Sequence, residues 1–370
     1  MAPMSENPDI STGGNLDGPA IQPPTGITPN FDNPPNKNNL VRVVLILFIV
    51  ITSVSVLIRM YSRIMLKKVK ITDILGLAAF VIYIAFIYLY FKLLNSYGWF
   101  VHMWDLRLRD FPEVNQMYFQ GIMIYFGIII LIRSAIMLEW IAIFAPQRTR
   151  GFFFWSSSFV LVIHNLIYIA MIITELAGCS PFEKNWNLLI PGKCIDTIAI
   201  AIINSAVNLA FDLIIFFLPQ KVIWGLQMKT KKKIGVSFLF AVGVIAIVAA
   251  TFRLVFSLRF YTSKDTTYAF SGVSLWCHAE VTCGFIVFCC PVAPKTLSHL
   301  ELQKLASGLR SWAGNSVRKL VSPGASSKGS IIRATHKQFA PGTPQNSDEY
   351  EMDITVVRLI PAEYIANGPN

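Results

Sequence analysis

Long unbroken apolar runs alternate with short polar stretches along the chain. The runs cover 40–58, 74–94, 118–144, 152–176, 197–219, 234–258 and 270–294. Each approaches or exceeds the roughly 20 residues an α-helix needs to cross a bilayer's hydrocarbon core. Their apolar residues are continuous and do not alternate, which argues against a membrane β-barrel. The pattern predicts an all-α membrane protein, a seven-transmembrane helix bundle over 40–295 with disordered N- and C-terminal tails. Residues 1–39 and 314–370, densest in Pro, Gly, Ser and Asn over 1–36 and 322–370, lack the apolar content for a core and are expected to be those tails. Between bundle and far tail, 296–313 places Leu297, Leu300, Leu305, Leu309 and Trp312 at roughly helical spacing, with Lys304 and Arg310 elsewhere. That suits a short amphipathic helix lying on the inner leaflet, the alternative being a frayed tail with scattered leucines. No internal repeat of transporter type is visible.

Composition agrees with the pattern. Apolar residues make up 54% of the chain and charged residues 14%, against about 25% charged for a soluble protein. The net charge of +11 does not indicate nucleic acid as a partner, because the surplus lies beside the apolar runs, where basic residues set topology and meet anionic lipid. Arg59, Arg63, Lys67, Lys68 and Lys70 follow the first run, Arg148 and Arg150 the third, and Lys221, Lys229, Lys231, Lys232 and Lys233 the fifth; Lys295, Lys304, Arg310, Arg318 and Lys319 follow the seventh. The intervening loops mix signs: Arg107 and Arg109 with Asp105, Asp110 and Glu113, then Lys184 and Lys193 with Glu183 and Asp196. The positive-inside bias places the amino terminus outside and the carboxyl terminus in the cytosol. The plasma membrane is the expected location, with the first run acting as signal anchor.

Six cysteines divide by place. Cys277, Cys283, Cys289 and Cys290 lie inside the seventh run, where thiols act as small apolar side chains. Cys179 and Cys194 are the two in a loop, and that loop is predicted to face outward. An oxidising compartment favours a disulfide between them; the alternatives are two free thiols, or Cys194 opening the fifth helix out of reach.

Ionisable and amide side chains inside membrane helices are costly, so each marks a candidate site. The third run carries Arg133 near mid-depth and Glu139 further inward, and the fourth carries His164 and Asn165. Asn204, Asn208 and Asp212 sit four residues apart on one face of the fifth. Arg253 lies in the outer half of the sixth, and His278 and Glu280 in the outer half of the seventh. Depth predicts two ion pairs, Arg133 with Asp212 and Arg253 with Glu280. These pairs either fix helix register or line a polar cavity that binds a ligand or switches. No catalytic elbow, zinc-protease motif or P-loop occurs, so no enzyme activity is expected. No cofactor is expected either. His102 with Asp105 offers a metal only two ligands, and the seventh run lacks the lysine that a retinal Schiff base requires.

Taken in order, several segments resemble the fungal rhodopsin-domain family of integral membrane proteins. They are Arg59-Met-Tyr-Ser-Arg63 with Asp73, Gly98 with His102-Met-Trp-Asp105, and Arg133-Ser134 through Ile143-Phe144. Cys179-Ser-Pro181, Trp186 and Cys194-Ile-Asp196 follow, then Asn204 to Asp212, Leu218-Pro219 and Trp224-Gly-Leu-Gln-Met228 with Lys233. Arg253-Leu254, Trp276, Glu280 and Cys290-Pro291 complete the series, which spans about residues 40–295. The chain departs from the family where Arg133 stands in place of a frequent lysine, where Thr72 replaces the first acid of an Asp-Asp pair, and where Glu139-Trp140 replaces a Tyr-x-Arg portion. The resemblance implies a rhodopsin-like bundle related to Pth-type receptors, with relatives in secondary-metabolite clusters. The favoured function is therefore receptor-like sensing of a small or apolar cue without retinal; the alternative is transport or export of a small metabolite. The basic loop Lys229, Lys231, Lys232 and Lys233 is the expected contact for a cytosolic signalling partner, or alternatively a topology signal in contact with lipid.

Overall fold

A computed structural model describes residues 16–291 except 66, 68, 145–150, 188 and 221–229; the side chains of 198 and 230–238 are also outside the description. The chain divides into two units, Met1–Leu309 and Arg310–Asn370. The bundle belongs to the first. The expected amphipathic helix at 296–313 and the tail at 314–370 lie outside the described residues.

Among the described residues, seven helices long and apolar enough to span a membrane form the bundle. They are α1 (Asn38–Met65), α2 (Ile71–Ser96), α3 (Phe111–Phe144), α4 (Phe152–Leu176), α5 (Thr197–Phe217), α6 (Thr230–Thr262) and α7 (Thr266–Cys289). Backbone groups in hydrocarbon must be satisfied within the segment, so each apolar run closes its own hydrogen bonds as a helix. The helices outrun the apolar stretches where polar side chains find partners inside the protein. Thus α1 continues past Ile58 through Arg59 and Arg63, both buried. Aspartates start two helices: Asp196 accepts from the Ala199 amide at 3.0 Å and Asp265 from the Tyr268 amide at 3.4 Å, filling donors that a helix N-terminus leaves open.

α3 and α7 run through the centre of the bundle, with most of their spans buried, whereas α1, α4, α5 and α6 turn most of theirs outward. Large residues such as Leu57, Phe159, Leu166 and Ile245 are exposed on these outward faces, which is the arrangement for a helix whose solvent is lipid. α2 packs closely on α7 because Gly76 leaves room for the Phe288 ring; a Cβ there would collide with it. Just past the end of α2, the Gly98 amide donates to the Leu93 carbonyl at 3.2 Å, and the φ of 86° at Gly98 turns the chain out of the helix.

At the amino-terminal end of the bundle, residues 16–37 depart from the expectation of a tail without structure. They cross the 97–110 connection as a strap. Ala20 N donates to Leu106 O at 2.9 Å, Leu108 N to Gly18 O at 3.0 Å, and Lys37 N to Trp99 O at 3.0 Å. Asn30 N reaches Asp105 Oδ1 at 2.9 Å, and Ala20 and Ile21 are buried in the core. Two isolated apolar residues among Pro and Gly give no periodic signal, yet they suffice once the connection supplies a partner edge.

The disulfide joins Cys179 to Cys194, with Cα atoms 4.1 Å apart. The two half-cystines face each other across a short antiparallel pair, β1 (Cys179–Ser180) and β2 (Lys193–Cys194). Cys194 precedes α5, so it stays within reach. The enclosed loop seats Trp186 on Phe119 of α3, ring centroids 5.7 Å apart. Cys179→Ser and Cys194→Ser are each expected to cost about 2–4 kcal/mol, and the double variant little more than either. Unfolding in mixed micelles checks this, and free thiols found by mass spectrometry in protein taken from its native membrane would contradict it.

Candidate functional site

Two buried charge clusters stand at different depths. The first lies midway along the bundle, where α3, α4, α5, α6 and α7 meet. Arg133 on α3 donates to Asp212 of α5 at 2.5 Å and to Glu280 of α7 at 3.0 Å. Arg253 of α6 faces Glu280 at 3.5 Å and donates to the Tyr125 hydroxyl. The two expected pairs are therefore one network, with Glu280 shared between the guanidiniums. An assignment by sequence depth separated them because it could not show that Glu280 reaches both.

Neutral groups complete the network. Asn208 Nδ2 donates to Glu280 at 2.7 Å, and its Oδ1 accepts from Tyr168 at 2.5 Å and Tyr125 at 3.3 Å. Arg133 also donates to the Tyr168 hydroxyl at 3.4 Å. Asn204 contributes its backbone carbonyl to Arg253 at 3.5 Å, while its buried Oδ1 has no partner among the described residues. Such mutual satisfaction is what makes buried charge tolerable in a low dielectric.

His278, expected in this network, is not part of it. Two residues from Glu280 on one helix, it points toward α2. There it stacks on Phe86 with centroids 4.2 Å apart, and its Nδ1 lies 2.9 Å from the Ser274 carbonyl. His102 pairs with Asp265 at 2.5 Å and stacks between Trp104 and Tyr268, whereas Asp105 caps the strap. His102 and Asp105 thus serve separate contacts. Lys229 lies outside the described residues. Lys231, Lys232 and Lys233 fall in the first turns of α6, and their side chains are likewise outside.

The second cluster sits toward the opposite end of the bundle, between α1, α2, α3 and α7. Arg59 contacts Asp73 at 2.7 Å and Glu139 at 2.9 Å, and it donates to the Phe288 carbonyl at 2.5 Å. Its guanidinium carbon lies 3.7 Å from the Phe288 ring centroid. Arg63 reaches Glu139 at 2.6 Å and Asp73 at 3.3 Å. Thr72 donates to Glu139 at 2.8 Å. Lys70 approaches Glu139 at 3.4 Å from a position 39% exposed, whereas Arg59 is 1% exposed. Reading Arg59 and Arg63 only as topology charges missed this site. The available signal was their four-residue spacing on one helix face, with Asp73 and the inward Glu139 as anions at matching depth.

Below the mid-depth network, on the side away from the amino-terminal end, lies a cleft between α3, α5, α6 and α7. Arg133, Asp212 and Glu280 are its polar floor, and Ile132, Ile136, Trp140, Phe216, Phe240 and Val287 are among its walls. An apolar enclosure with a few converging polar groups is the usual form of a small-molecule site.

The fungal rhodopsin domain family model matches residues 58–299, which includes both clusters and the cleft. The chain is 37% identical over 289 residues, 77% of its own length and 72% of the relative's, to the "Fugralins biosynthesis cluster protein 2" of Gibberella zeae. It is 29% identical to an Emericella nidulans "SAT4 family membrane protein", over 55% of this chain and about half, 52%, of that relative. It is 25% identical to the "Polyenoic acids biosynthesis gene cluster protein Ba17b" of Metarhizium anisopliae, over 39% of this chain and 42% of that relative. No solved structure matches the chain at a significant level. With the seven helices and the match over more than half its length, the chain is a multi-pass membrane protein belonging to the fungal rhodopsin domain family.

Proposed function

We propose that the protein is a receptor-like membrane sensor that binds a small metabolite in the cleft between α3, α5, α6 and α7. The observation that carries this reading is the cleft's floor, formed by the same Arg133, Asp212 and Glu280 that tie those helices together. A ligand touching that floor competes with contacts between helices, so its binding differs between two arrangements of the bundle, as a switch requires. α5 and α6 are joined by the 218–229 segment, which with the start of α6 carries Lys221, Lys229, Lys231, Lys232 and Lys233. A shift of these helices presents that basic segment to an acidic cytosolic partner. Relatives named for metabolite biosynthesis clusters support a metabolite as the cue. The buried carboxylates are held by guanidiniums, Asp212 by Arg133 and Glu280 by Arg133 and Arg253, which favours binding and signalling as their role.

The basic bias at the end opposite the strap supports an outward amino terminus in the plasma membrane, with the 220–233 segment cytosolic. Protease mapping in sealed vesicles that finds this segment outside would reverse that orientation. The functional reading is tested by screening metabolites from the producing organism for thermal stabilisation of the purified protein, with flux measured in vesicles in parallel. Stabilisation without flux supports a sensor, and substrate-dependent flux would replace it with a transporter.

No covalent retinal chromophore and no light-driven pumping are expected. α7 contains no lysine, while Lys92 and Lys264 are exposed. Protein purified with all-trans retinal is expected to show no visible band. A band that survives purification and shifts on borohydride reduction would contradict this.

A further inference from the structure

We infer that the cleft takes an uncharged, compact amphiphile with one hydrogen-bond donor on an apolar body, an alcohol or amide, seated with its donor on Asp212. This inference rests on the ligand-binding reading above and specifies the chemistry of the same site.

Charge decides the head group. The network holds two guanidiniums, Arg133 and Arg253, and two carboxylates, Asp212 and Glu280. Their formal charges cancel. An ammonium or carboxylate brought to this depth adds an ion with no counter-charge, and burying an unpaired ion is far costlier than burying a hydrogen-bonded neutral group. Among the four, Asp212 is the most open, its side chain 14% exposed against 6% for Arg133, 3% for Glu280 and 1% for Arg253. The group that meets an incoming ligand is thus an acceptor. Asp212 Oδ1 is taken by Arg133 at 2.5 Å, but its Oδ2 has only a long 3.5 Å contact from Asn208, whereas Glu280 is engaged by Arg133, Asn208 and Tyr125.

Space and walls decide the rest. The cavity volume is about 70 Å³, room for several waters. That suits a short chain or single ring. Ile132, Ile136, Phe216 and Phe240 along the walls give no partner to a second polar group, and Trp140, the one described wall residue with a polar side-chain atom, carries an N–H donor that offers nothing to a second donor. Gly284 also lines the cavity. A Cβ there would meet Ile132 only at 3.8 Å, an ordinary contact, so alanine at this position narrows the cavity without disturbing the packing. Gly243 does not offer this option, since a Cβ there would strike the Phe216 ring.

The experiment uses hexanol, hexylamine and hexanoic acid as probes on the full chain in lipid nanodiscs, reading the unfolding midpoint. Hexanol is expected to raise it by about 2–4 °C at saturation, with no rise from the amine or acid. Gly284→Ala is expected to abolish the hexanol shift. Asp212→Asn leaves the network one carboxylate short, and the preference is expected to move to hexanoic acid. If the amine or acid stabilises the unaltered protein as well as hexanol does, and Gly284→Ala removes those shifts, the neutral-donor inference fails while a cleft ligand stands. Shifts unchanged in Gly284→Ala place the probes outside the cleft and overturn both readings. No shift from any probe overturns the inference.

Discussion

Glu280→Gln is expected to destabilise the bundle by about 3–5 kcal/mol, because it leaves Arg253 without a carboxylate and Arg133 with only Asp212. Arg253→Met is expected to cost less, since Glu280 keeps Arg133 and Asn208. The double variant should cost less than the sum of the singles, as the second change removes the ion that the first orphaned. Equilibrium unfolding in mixed micelles gives the three values. Strict additivity would mean that the 3.5 Å approach of Arg253 to Glu280 carries no coupling.

At the other cluster, Glu139→Gln is expected to cost a similar 3–5 kcal/mol. Arg59, Arg63 and Lys70 all converge on Glu139, and without it Asp73 alone faces the two buried guanidiniums. Lys70→Ala provides the internal contrast. Its ammonium is partly in solvent, and exposed pairs contribute about 0.2–1 kcal/mol. Near-equal losses for the two variants would show that burial does not set the strength of this cluster. The cluster also binds α1 to the Phe288 carbonyl at the end of α7, so its loss is expected to loosen that end first.

The seven helices were legible because hydrocarbon imposes a length and a composition that little else in a chain satisfies. The run at 152–176 coincides with α4, and 197–219 overshoots α5 by two residues. The ends of α1 and α3 were less legible, because the last turns of α1 and the first of α3 carry polar residues that stay helical through tertiary partners. Asn204, Asn208 and Asp212 were placed on one face by their spacing, and the structure brings Asn208 and Asp212 to the charges. The merging of two ion pairs was not legible, because linear depth carries no information about which side chain bridges two neighbours. Arg59 and Arg63 were hidden by a competing explanation, since basic residues after a first membrane helix already satisfy the topology rule. The strap at 16–37 was hidden by its composition, because a segment held by backbone hydrogen bonds to another loop leaves no hydrophobic period to read.

The most direct measurement is a cryo-electron microscopy or crystal structure of the full chain with a stabilising metabolite bound. The account predicts ligand density against Asp212, enclosed by Ile136, Phe216 and Phe240, with the Arg133–Asp212 contact altered. Density beneath the disulfide-closed loop beside Trp186, with the cleft between α3, α5, α6 and α7 empty, would contradict it.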